Sequence, residues 1–480
     1  MTERIRYENP LVERYASAEM SFVWSPQKKF STWRRLWVAL ARAERELGLE
    51  AITEAQIAEL EANVDDIDFD FADAKERELR HDVMSHIHTF AEKCPSAGPI
   101  IHLGATSCYV TDNTELCQIK DSMQIVRQRL IRLIRLLRDY ALKWHELPTL
   151  GFTHYQPAQL TTVGKRLSLW LQDFVMDLEQ VLQLQSDLPF RGVKGTTGTQ
   201  ASYLELFDGD HEKVKQLDKR VTELMGFERT IAITGQTYSR KIDYRVLSIL
   251  SSISQSAHKM ATDIRLLMNL KEVDEPFGAK QVGSSAMAYK RNPMRSERIC
   301  ALARYVMSLT ANAANTHATQ WFERTLDDSA NRRLSLPESF LGTDVVLQLG
   351  ANVIDGLHVW PRVIRKHIDA ELPYMATEVI LMACVRSGGD RQVLHEAIRE
   401  HSLASAGRVK EEGADNDLLE RLAADMRFTA IHDQLDSITD PSQFVGRAPQ
   451  QVQEFVDQVV DPLLAEYETS DDTATEDVTV

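Results

Sequence analysis

The sequence predicts an all-α protein built around a central bundle of long helices. Proline is absent from three long stretches, 100–147, 190–275 and 294–336, each of which is long enough to hold a long helix. Within them apolar residues recur at helical spacing, whereas the alternation that is typical of strands is weak along the whole chain. Long helices joined by short connections favour a bundle architecture.

The individual helices follow from this spacing, taken in chain order. The first amphipathic helix is marked by Phe30, Trp33, Leu36, Trp37, Leu40 and Leu47. Leu and Ile at helical spacing predict two further helices, over 115–142 and 160–187. The segment 243–268 is rich in Ser and Ala, which permit close helix–helix approach, so we place it in the centre of the bundle. The segment 338–358 is apolar around most of its circumference, which indicates burial.

Length and composition predict several domains. A chain of 480 residues exceeds the size at which a single core keeps growing, so two or three domains are expected. We predict an N-terminal helical domain (1–111), the central bundle (112–360) and a C-terminal helical domain (361–467). The acidic, polar residues 468–480 are predicted to be disordered. Helices that are apolar on more than one face favour burial against other subunits, so an oligomer is expected.

Charge and cysteine content exclude some classes of partner. The formal net charge of −16 argues against nucleic-acid binding, which needs clustered Lys and Arg, so an anionic ligand would require a local arginine-rich pocket. The five cysteines form no Cys-x-x-Cys motif and do not have the spacing of metal ligands, which favours reduced thiols. The first residues lack an apolar signal region, and no run approaches the ~20 apolar residues of a membrane span. We expect a cytoplasmic protein with no membrane partner.

The segment 283–293, Gly-Ser-Ser-Ala-Met-Ala-Tyr-Lys-Arg-Asn-Pro, is the most informative part of the chain. Its hydroxyl, ammonium and amide groups suit a carboxylate ligand. Gly283 allows bending, and Asn292-Pro293 is typical of an N-cap followed by the first helical residue. The composition alone is equally consistent with an ordinary connector. As a site, it would be a mobile loop that leads into a helix.

This segment resembles the signature of the fumarase/aspartase superfamily, Gly-Ser-Ser-x-Met-Pro-x-Lys-x-Asn-Pro, with Ala288 in place of the family's Pro. The run 288–298 is most similar to the branch that acts on succinylated purine nucleotides, in its eukaryotic form. The resemblance extends from about Arg14 to about Leu464. It implies a three-domain, all-α fold that assembles into a homotetramer, with each active site built from residues of three subunits.

The resemblance implies a β-elimination that releases fumarate from a succinylated nitrogen. His154 would be the general acid, paired with the carboxylate of Glu297, and Ser284 would be the general base, assisted by Lys290. A lone His beside aromatic residues is more often structural, but the Gly/Pro-bounded loop around His154 and its Thr and Gln neighbours favours a site. Ser285 is an adjacent alternative to Ser284. No metal and no organic cofactor is needed.

The same resemblance implies a set of substrate-binding residues. His81 belongs both to this set and to the catalytic group. Read from composition alone, Thr106 and Ser107 could merely cap a helix, and 324–333 could be a salt-bridged surface. Metal binding by His81, His86 and His88 is disfavoured because His86 and His88 would not share a helix face. The predicted substrate contacts are Arg14, Tyr15, Arg80, His81, Asp82, Thr106, Ser107, Thr153, Gln236, Lys290, Asn292, Arg298, Arg324, Ser329 and Arg333.

Other functions remain open at this stage. A sister lyase, such as an argininosuccinate lyase, would share the signature. A non-enzymatic structural paralogue is another reading, which only Ala288 supports. A Ser–His hydrolase is disfavoured because no Gly-x-Ser-x-Gly elbow contains Ser284. The Gly/Thr-rich run 192–200 lacks the Gly-Lys-Ser/Thr ending of a phosphate loop, so we expect no ATP site there.

Overall fold

The computed structural model describes residues 7–278 and 280–467, and within them the protein is predominantly helical. The predicted disordered tail, 468–480, lies outside the described residues. The α-helices are α1 (Ala18–Val23), α2 (Pro26–Glu46), α3 (Glu54–Ala62), α4 (Phe69–Leu79), α5 (Asp82–Lys93), α6 (Ser107–Lys143), α7 (Val163–Asp187), α8 (Ala201–Leu206), α9 (His211–Leu224), α10 (Lys241–Asn269), α11 (Met294–Ala318), α12 (Asp327–Asp355), α13 (Pro361–Met375), α14 (Thr377–Arg386), α15 (Arg391–Glu412), α16 (Leu418–Ala424), α17 (Leu435–Ile438), α18 (Ala448–Phe455) and α19 (Asp461–Ala465). Short 3₁₀ or π turns occupy Leu11–Tyr15, Gly98–Ile100, Met426–Gln434, Pro441–Phe444 and Val456–Val460.

A bundle of long helices forms the centre of the molecule, and the all-α prediction is confirmed. Its members α6, α7, α10, α11 and α12 run for 25 to 37 residues. Helix α10 packs against α7, α11 and α12, as predicted from its small residues. Ser254, Ala257 and Ala261 are fully buried on it, because only small side chains fit where long helices approach closely.

Local sequence signals explain where several of these helices begin. Pro26 occupies the first turn of α2, and the Ser25 hydroxyl accepts a hydrogen bond from the Lys28 amide at 3.2 Å. Helix α7 begins after Thr162, whose hydroxyl accepts from the Lys165 amide at 3.1 Å. These caps satisfy amides that have no partner inside the helix.

Two small antiparallel ladders interrupt the helices and were not predicted. Strands β1 (Pro148–Thr153) and β2 (Gln156–Thr162) form a hairpin, with an irregularity between Leu150 and Phe152. The helix predicted from residue 160 therefore begins only at Val163. Strands β3 (Val273–Asp274) and β4 (His358–Val359) form a two-residue pair that ties the end of α10 to the end of α12.

The prediction for 338–358 was too short at its N-terminal end. Helix α12 starts at Asp327 and continues through Pro337. A proline removes one backbone hydrogen bond and usually ends a helix. Here Leu336, Ser339 and Phe340 are buried on both sides of Pro337, so tertiary packing keeps the helix continuous.

The apolar interior consists of a large core and a smaller one. The large core extends from α1 through α13 and takes in α18 and α19 near the C-terminus. The smaller core lies between residues 376 and 435 and occupies only part of the predicted C-terminal domain. The predicted domain boundaries themselves stay predictions. Among the described residues, no helix is both long enough and apolar enough to cross a membrane.

Candidate active site

A cleft of about 630 Å³ gathers many of the predicted substrate contacts. It lies between α2, the junction of α4 and α5, the start of α6, the segment before α10 and the start of α12. Gln236 also approaches Thr106, with Nε2 3.5 Å from Oγ1. The predicted residues that line the cleft are Arg80, His81, Asp82, Ser107, Gln236, Arg324, Ser329 and Arg333.

The floor of the cleft is a buried network of ion pairs. Arg240 binds Asp112 at 3.0 Å and Asp328 at 2.8 Å. Arg332 binds Asp243 at 2.7 Å. All five side chains are almost completely buried. Because a buried charge is tolerated only when it is paired, these arginines serve the fold and leave little donor capacity for a ligand.

The network also shifts the titration of its carboxylates. Burial raises the pKa of the Glu115 carboxyl, and its ion-pair partner Arg332 offsets this only in part. Burial alone would raise the pKa of Asp112 as well, but Arg240 and Arg332 outweigh it and leave that pKa below its usual value. Arg324 closes the network at the cleft surface, where it contacts both oxygens of Asp328 at 2.9 Å.

The rim of the cleft carries exposed polar side chains. Arg80 ends α4 in a left-handed conformation with φ 58°, which is uncommon for a non-glycine residue. The next residue, His81, caps α5, and its Nδ1 accepts a hydrogen bond from the Met84 amide at 3.3 Å. This bond leaves Nε2 as the protonated nitrogen of the neutral ring.

Helix α12 places two further predicted residues on this rim. Ser329 and Arg333 lie one turn apart and line the same cleft, as their four-residue spacing predicts. The Arg333 guanidinium lies 3.3 Å from Asp82 and so joins α12 to α5. With Arg80, it gives the rim two exposed guanidinium groups, which suit a phosphate.

The signature loop 283–293 is a separate group. The half-buried Ser284 Oγ accepts hydrogen bonds from the amides of Ala286 (3.3 Å) and Met287 (3.1 Å). The side chain of Lys290 is exposed. The prediction that Asn292 caps the following helix was wrong. The cap position is Pro293, and the Asn292 amide instead donates to Gly283 O at 2.6 Å.

His154 and Thr153 lie at the exposed tip of the β1–β2 hairpin. His154 and Tyr155 have φ values of 52° and 58°. Two successive left-handed residues are typical of a tight hairpin turn that follows the twist of its strands. This turn carries the imidazole to the outside of the chain.

Besides the cleft, the signature loop and the hairpin tip, a fourth group of predicted site residues joins the N-terminal turn to α11. The Arg298 guanidinium stacks on the ring of Tyr15 at 5.3 Å, and Arg14 lies exposed beside it. Glu297 is exposed on the first turn of α11. Within the described residues of the single chain, no side-chain hydrogen bond or ion pair joins His154 to Glu297, or links any of the four groups to another. The backbone of the signature loop runs directly into α11, where the Glu297 amide donates to Pro293 O at 2.8 Å.

The sequence did not reveal several residues of the cleft. Lys29, Glu76, Cys108, Asp112, Glu115, Arg240, Asp328 and Arg332 line it and were not singled out. Their partners lie far apart in sequence, as in the Arg240–Asp112 pair, which spans 128 positions. No local pattern signals such a pair.

Two histidines near the cleft are held neutral by packing. His86 stacks on Phe30 with ring centroids 3.6 Å apart, and burial lowers its pKa to about 4, so packing accounts for this residue. His102 was not predicted to have a role. Burial lowers its pKa to about 4, and its Nδ1 accepts from Trp37 Nε1 at 2.9 Å.

Comparisons with known proteins agree with this architecture. The family described as "Lyase" matches residues 14–308, and the family described as "Adenylosuccinate lyase C-terminus" matches residues 373–455. Two solved structures share the fold. The 3-carboxy-cis,cis-muconate lactonizing enzyme of Pseudomonas putida has a TM-score of 0.79 at 21% identity, covering 92% of this chain and 97% of that one. The fumarate lyase of Mesorhizobium has a TM-score of 0.77 at 23% identity, covering 96% and 99%.

The fold and the lyase match place the chain in the fumarase/aspartase superfamily. Its relatives show to which family within this superfamily the chain belongs. The adenylosuccinate lyase of Schizosaccharomyces pombe is 55% identical over 465 residues, 96% of either chain. That of Saccharomyces cerevisiae is 54% identical over 470 residues, 98% of either chain. The chain belongs to the adenylosuccinate lyase family.

Proposed function

We propose that this protein is an adenylosuccinate lyase that eliminates fumarate from adenylosuccinate to give AMP. By the same chemistry it would release fumarate from succinylaminoimidazole-carboxamide ribotide in purine synthesis. Each substrate carries a succinyl group and a phosphoribosyl group. The observation that carries the proposal is the cleft, whose rim offers Arg80, Ser329 and Arg333 to a phosphate, in a chain that aligns with adenylosuccinate lyases over nearly its whole length.

The first chemical step is removal of a proton beside a succinyl carboxylate. Ser284 is the proposed base. A serine is ordinarily a poor base, but two backbone amides already donate to its Oγ and would stabilise negative charge there. The charge of the carbanion spreads onto the neighbouring carboxylate, where Lys290 supplies a cation. The Asn292 amide uses one hydrogen on Gly283 O and has a second one for that carboxylate.

The second step is protonation of the departing nitrogen. His154 is the proposed acid because an imidazole transfers protons effectively near neutral pH. Glu297 would hold the ring in place and favour its charged form. The remaining predicted contacts, Gln236 among them, position the nucleotide so that both groups act on the same C–N bond.

These roles require groups from different copies of the chain. Neither His154 nor Ser284 lines the cleft of its own chain, and the two residues belong to a hairpin and a loop that are largely exposed. We propose a homotetramer in which each active site takes residues from three subunits. A cytoplasmic location and catalysis without a metal or organic cofactor belong to the same proposal.

An ultraviolet assay of the purified protein with adenylosuccinate tests the activity. Equal amounts of AMP and fumarate are expected, with fumarate measured independently. His154→Ala and Ser284→Ala should each abolish turnover while leaving assembly intact. No turnover by a correctly assembled wild-type oligomer would contradict the proposal. Argininosuccinate in a parallel assay distinguishes the sister activity, since the phosphate-type rim predicts no turnover of a substrate that lacks phosphate.

A further inference from the structure

The loop segment 280–293, which contains the signature loop, is tied together at its base by one buried carboxylate. Glu275 precedes this segment, and α11 follows it. Only 5% of the Glu275 surface is exposed. Its Oε1 accepts from the Arg295 amide at 2.9 Å, and its Oε2 accepts from the Ser296 amide at 3.1 Å and the Ser296 hydroxyl at 3.0 Å. The two ends of the loop therefore meet at this side chain.

Glu275 replaces the cap that α11 lacks. The cap position of α11 is Pro293, which makes no side-chain cap hydrogen bond. The first-turn amides of a helix have no partner inside the helix, and the helix dipole favours a negative charge beside them. Glu275 supplies both an acceptor and a charge from outside the helix. Burial raises the pKa of its carboxyl, whereas the amides of Arg295 and Ser296 act in the opposite direction.

The residues on either side of Glu275 are fixed as well. The Arg295 guanidinium donates to Pro276 O at 2.7 Å, a second bond across the base of the loop. Strand β3, which ends at Asp274, is paired with β4. Trp360 adds a backbone bond to Glu272 O at 2.9 Å and an indole bond to Asp274 at 3.0 Å. We call Glu275, Arg295 and Ser296 the loop neck.

We propose that Glu275 is a positioning residue that holds the signature loop in register with the first turn of α11. This inference rests on the proposed function, because it gives the neck the task of setting Ser284 and Lys290 relative to Glu297 and Arg298. The proposed base is on the loop, whereas the proposed partner of the acid is on the helix, two residues beyond Arg295. If the hydrogen bonds of the loop neck were lost, the distance between Ser284 on the loop and Glu297 on the helix would change.

Glu275→Gln is the informative substitution because it keeps the shape of the side chain. A carboxylate accepts with both oxygens, but an amide would turn one NH₂ toward a backbone N–H and lose at least one of the three bonds. Ser296→Ala is the second, milder variant, since it removes only the hydroxyl donor. Glu228→Gln, on an exposed residue, is the control for the loss of one negative charge.

The test combines limited trypsin digestion with steady-state kinetics on the full-length oligomer. Lys280, Lys290 and Arg291 are exposed cleavage sites within the loop. We expect Glu275→Gln to accelerate cleavage at these sites by about tenfold, as loss of a charge-assisted hydrogen bond implies. It should also lower kcat by about tenfold or more, with inhibition by AMP unchanged. Ser296→Ala should show smaller changes in the same direction, and Glu228→Gln none.

Two outcomes would overturn the proposal. One is wild-type cleavage of the loop in both Glu275→Gln and Ser296→Ala. The other is an equal loss of kcat and of AMP affinity together with faster cleavage throughout the chain, because this would indicate a general structural role. The digestion does not require turnover, so failure of the proposed lyase activity would leave the test of the neck intact.

Discussion

Lys29 illustrates how a single residue can belong to the site without a sequence signal. It lies on α2 in the wall of the cleft, with its ammonium 5.2 Å from the ring centres of both Phe30 and Trp33. Burial, followed by the charge of Arg333, lowers its pKa. A cation placed near another cation and without an ion-pair partner in the described residues is suited to an anionic ligand.

Replacing Lys29 should therefore weaken nucleotide binding. We expect Lys29→Met to raise the dissociation constant of AMP by about tenfold, while adenosine binding changes little, because the lost charge faces a phosphate. The neighbouring Lys28 is the matched control, since it pairs with Asp121 at 2.7 Å outside the cleft. Titration calorimetry on both variants measures the effect. Equal weakening by Lys28→Met and Lys29→Met would contradict this assignment.

At this scale the sequence could predict the residues that belong to local motifs. Ser284, Lys290 and Asn292 stand in one short loop, and Ser329 and Arg333 stand one helical turn apart. The buried network around Arg240 could not be predicted, because its partners come together only through the packing of α6, α10 and α12. The cap assigned to Asn292 failed since a tertiary contact, from Glu275, took over that task.

Among the elements, the junction of α6 and α7 depends on one glycine. A Cβ atom at Gly164 would lie 2.3 Å from Ala141 O and 2.6 Å from the Cα of His145. Both are backbone atoms that cannot move aside independently. Gly164→Ala should therefore destabilise the protein by about 2 kcal/mol or more, as overpacking does. The shift of the thermal unfolding midpoint measures it.

Gly407 provides the matched control for this substitution. It lies within α15, and an added Cβ would meet nothing within 4 Å. Gly407→Ala should raise stability by roughly 0.5–1 kcal/mol, because alanine favours the helix over glycine. Similar effects of the two alanine substitutions would show that the close approach of α6 and α7 is not the reason why position 164 requires glycine.

The contact between α7 and α10 predicts a pH effect. Asp177 on α7 is 1% exposed and accepts from Ser252 and Ser256 of α10 at 2.6 Å each. Burial raises its pKa to about 6. Since the folded state binds this proton more tightly than the unfolded chain, the stabilising contribution is complete below about pH 4 and is lost as the pH rises through about 6.

Asp177→Asn should remove this dependence. Between pH 7.5 and 4.5, the wild type should gain about 2 kcal/mol relative to the variant, since pH 4.5 lies roughly 1.5 units below the folded-state pKa and one pKa unit corresponds to about 1.4 kcal/mol. Urea unfolding of both proteins at the two pH values measures the difference. A constant difference between them would mean that Asp177 titrates normally.

The elements show both the reach and the limits of periodicity. Long amphipathic helices such as α2 and α10 were predicted within a few residues, because their apolar faces follow the helical period. The β1–β2 hairpin was missed because its exposed Thr and Gln residues carry no alternation of apolar and polar side chains. Pro337 misled the prediction of α12, since burial on both sides outweighs the missing hydrogen bond.

On the scale of the whole molecule, the surface beside the cleft carries unusually exposed apolar side chains. Ile233 (89%), Trp321 (67%), Phe322 (100%) and Leu326 (71%) lie close together in sequence or line adjoining cavities. Such a patch is costly in water and indicates an interface. We expect Phe322→Asp to convert the oligomer into smaller, inactive species. Sedimentation analysis measures this, with Leu403→Asp, at an exposed apolar residue of α15, as the control.

Family membership and the helical bundle could be inferred from the sequence, because the signature loop and the helical period are local. The distribution of the active-site residues over several subunits could not be derived from residue spacing. The sharing of each site between subunits followed from the resemblance alone, and it fits the observation that neither His154 nor Ser284 lines the cleft of its own chain. The central claim is therefore that each active site is completed by residues from separate copies of the chain.

Mixing two inactive variants tests this claim most directly. His154→Ala and Ser284→Ala proteins would be dissociated, mixed in equal amounts, reassembled and assayed with adenylosuccinate. If the two residues reach each site from different subunits, random assembly should restore roughly a quarter of the wild-type activity. Each variant treated alone should stay inactive. No recovery from verified mixed oligomers would contradict a site shared in this way.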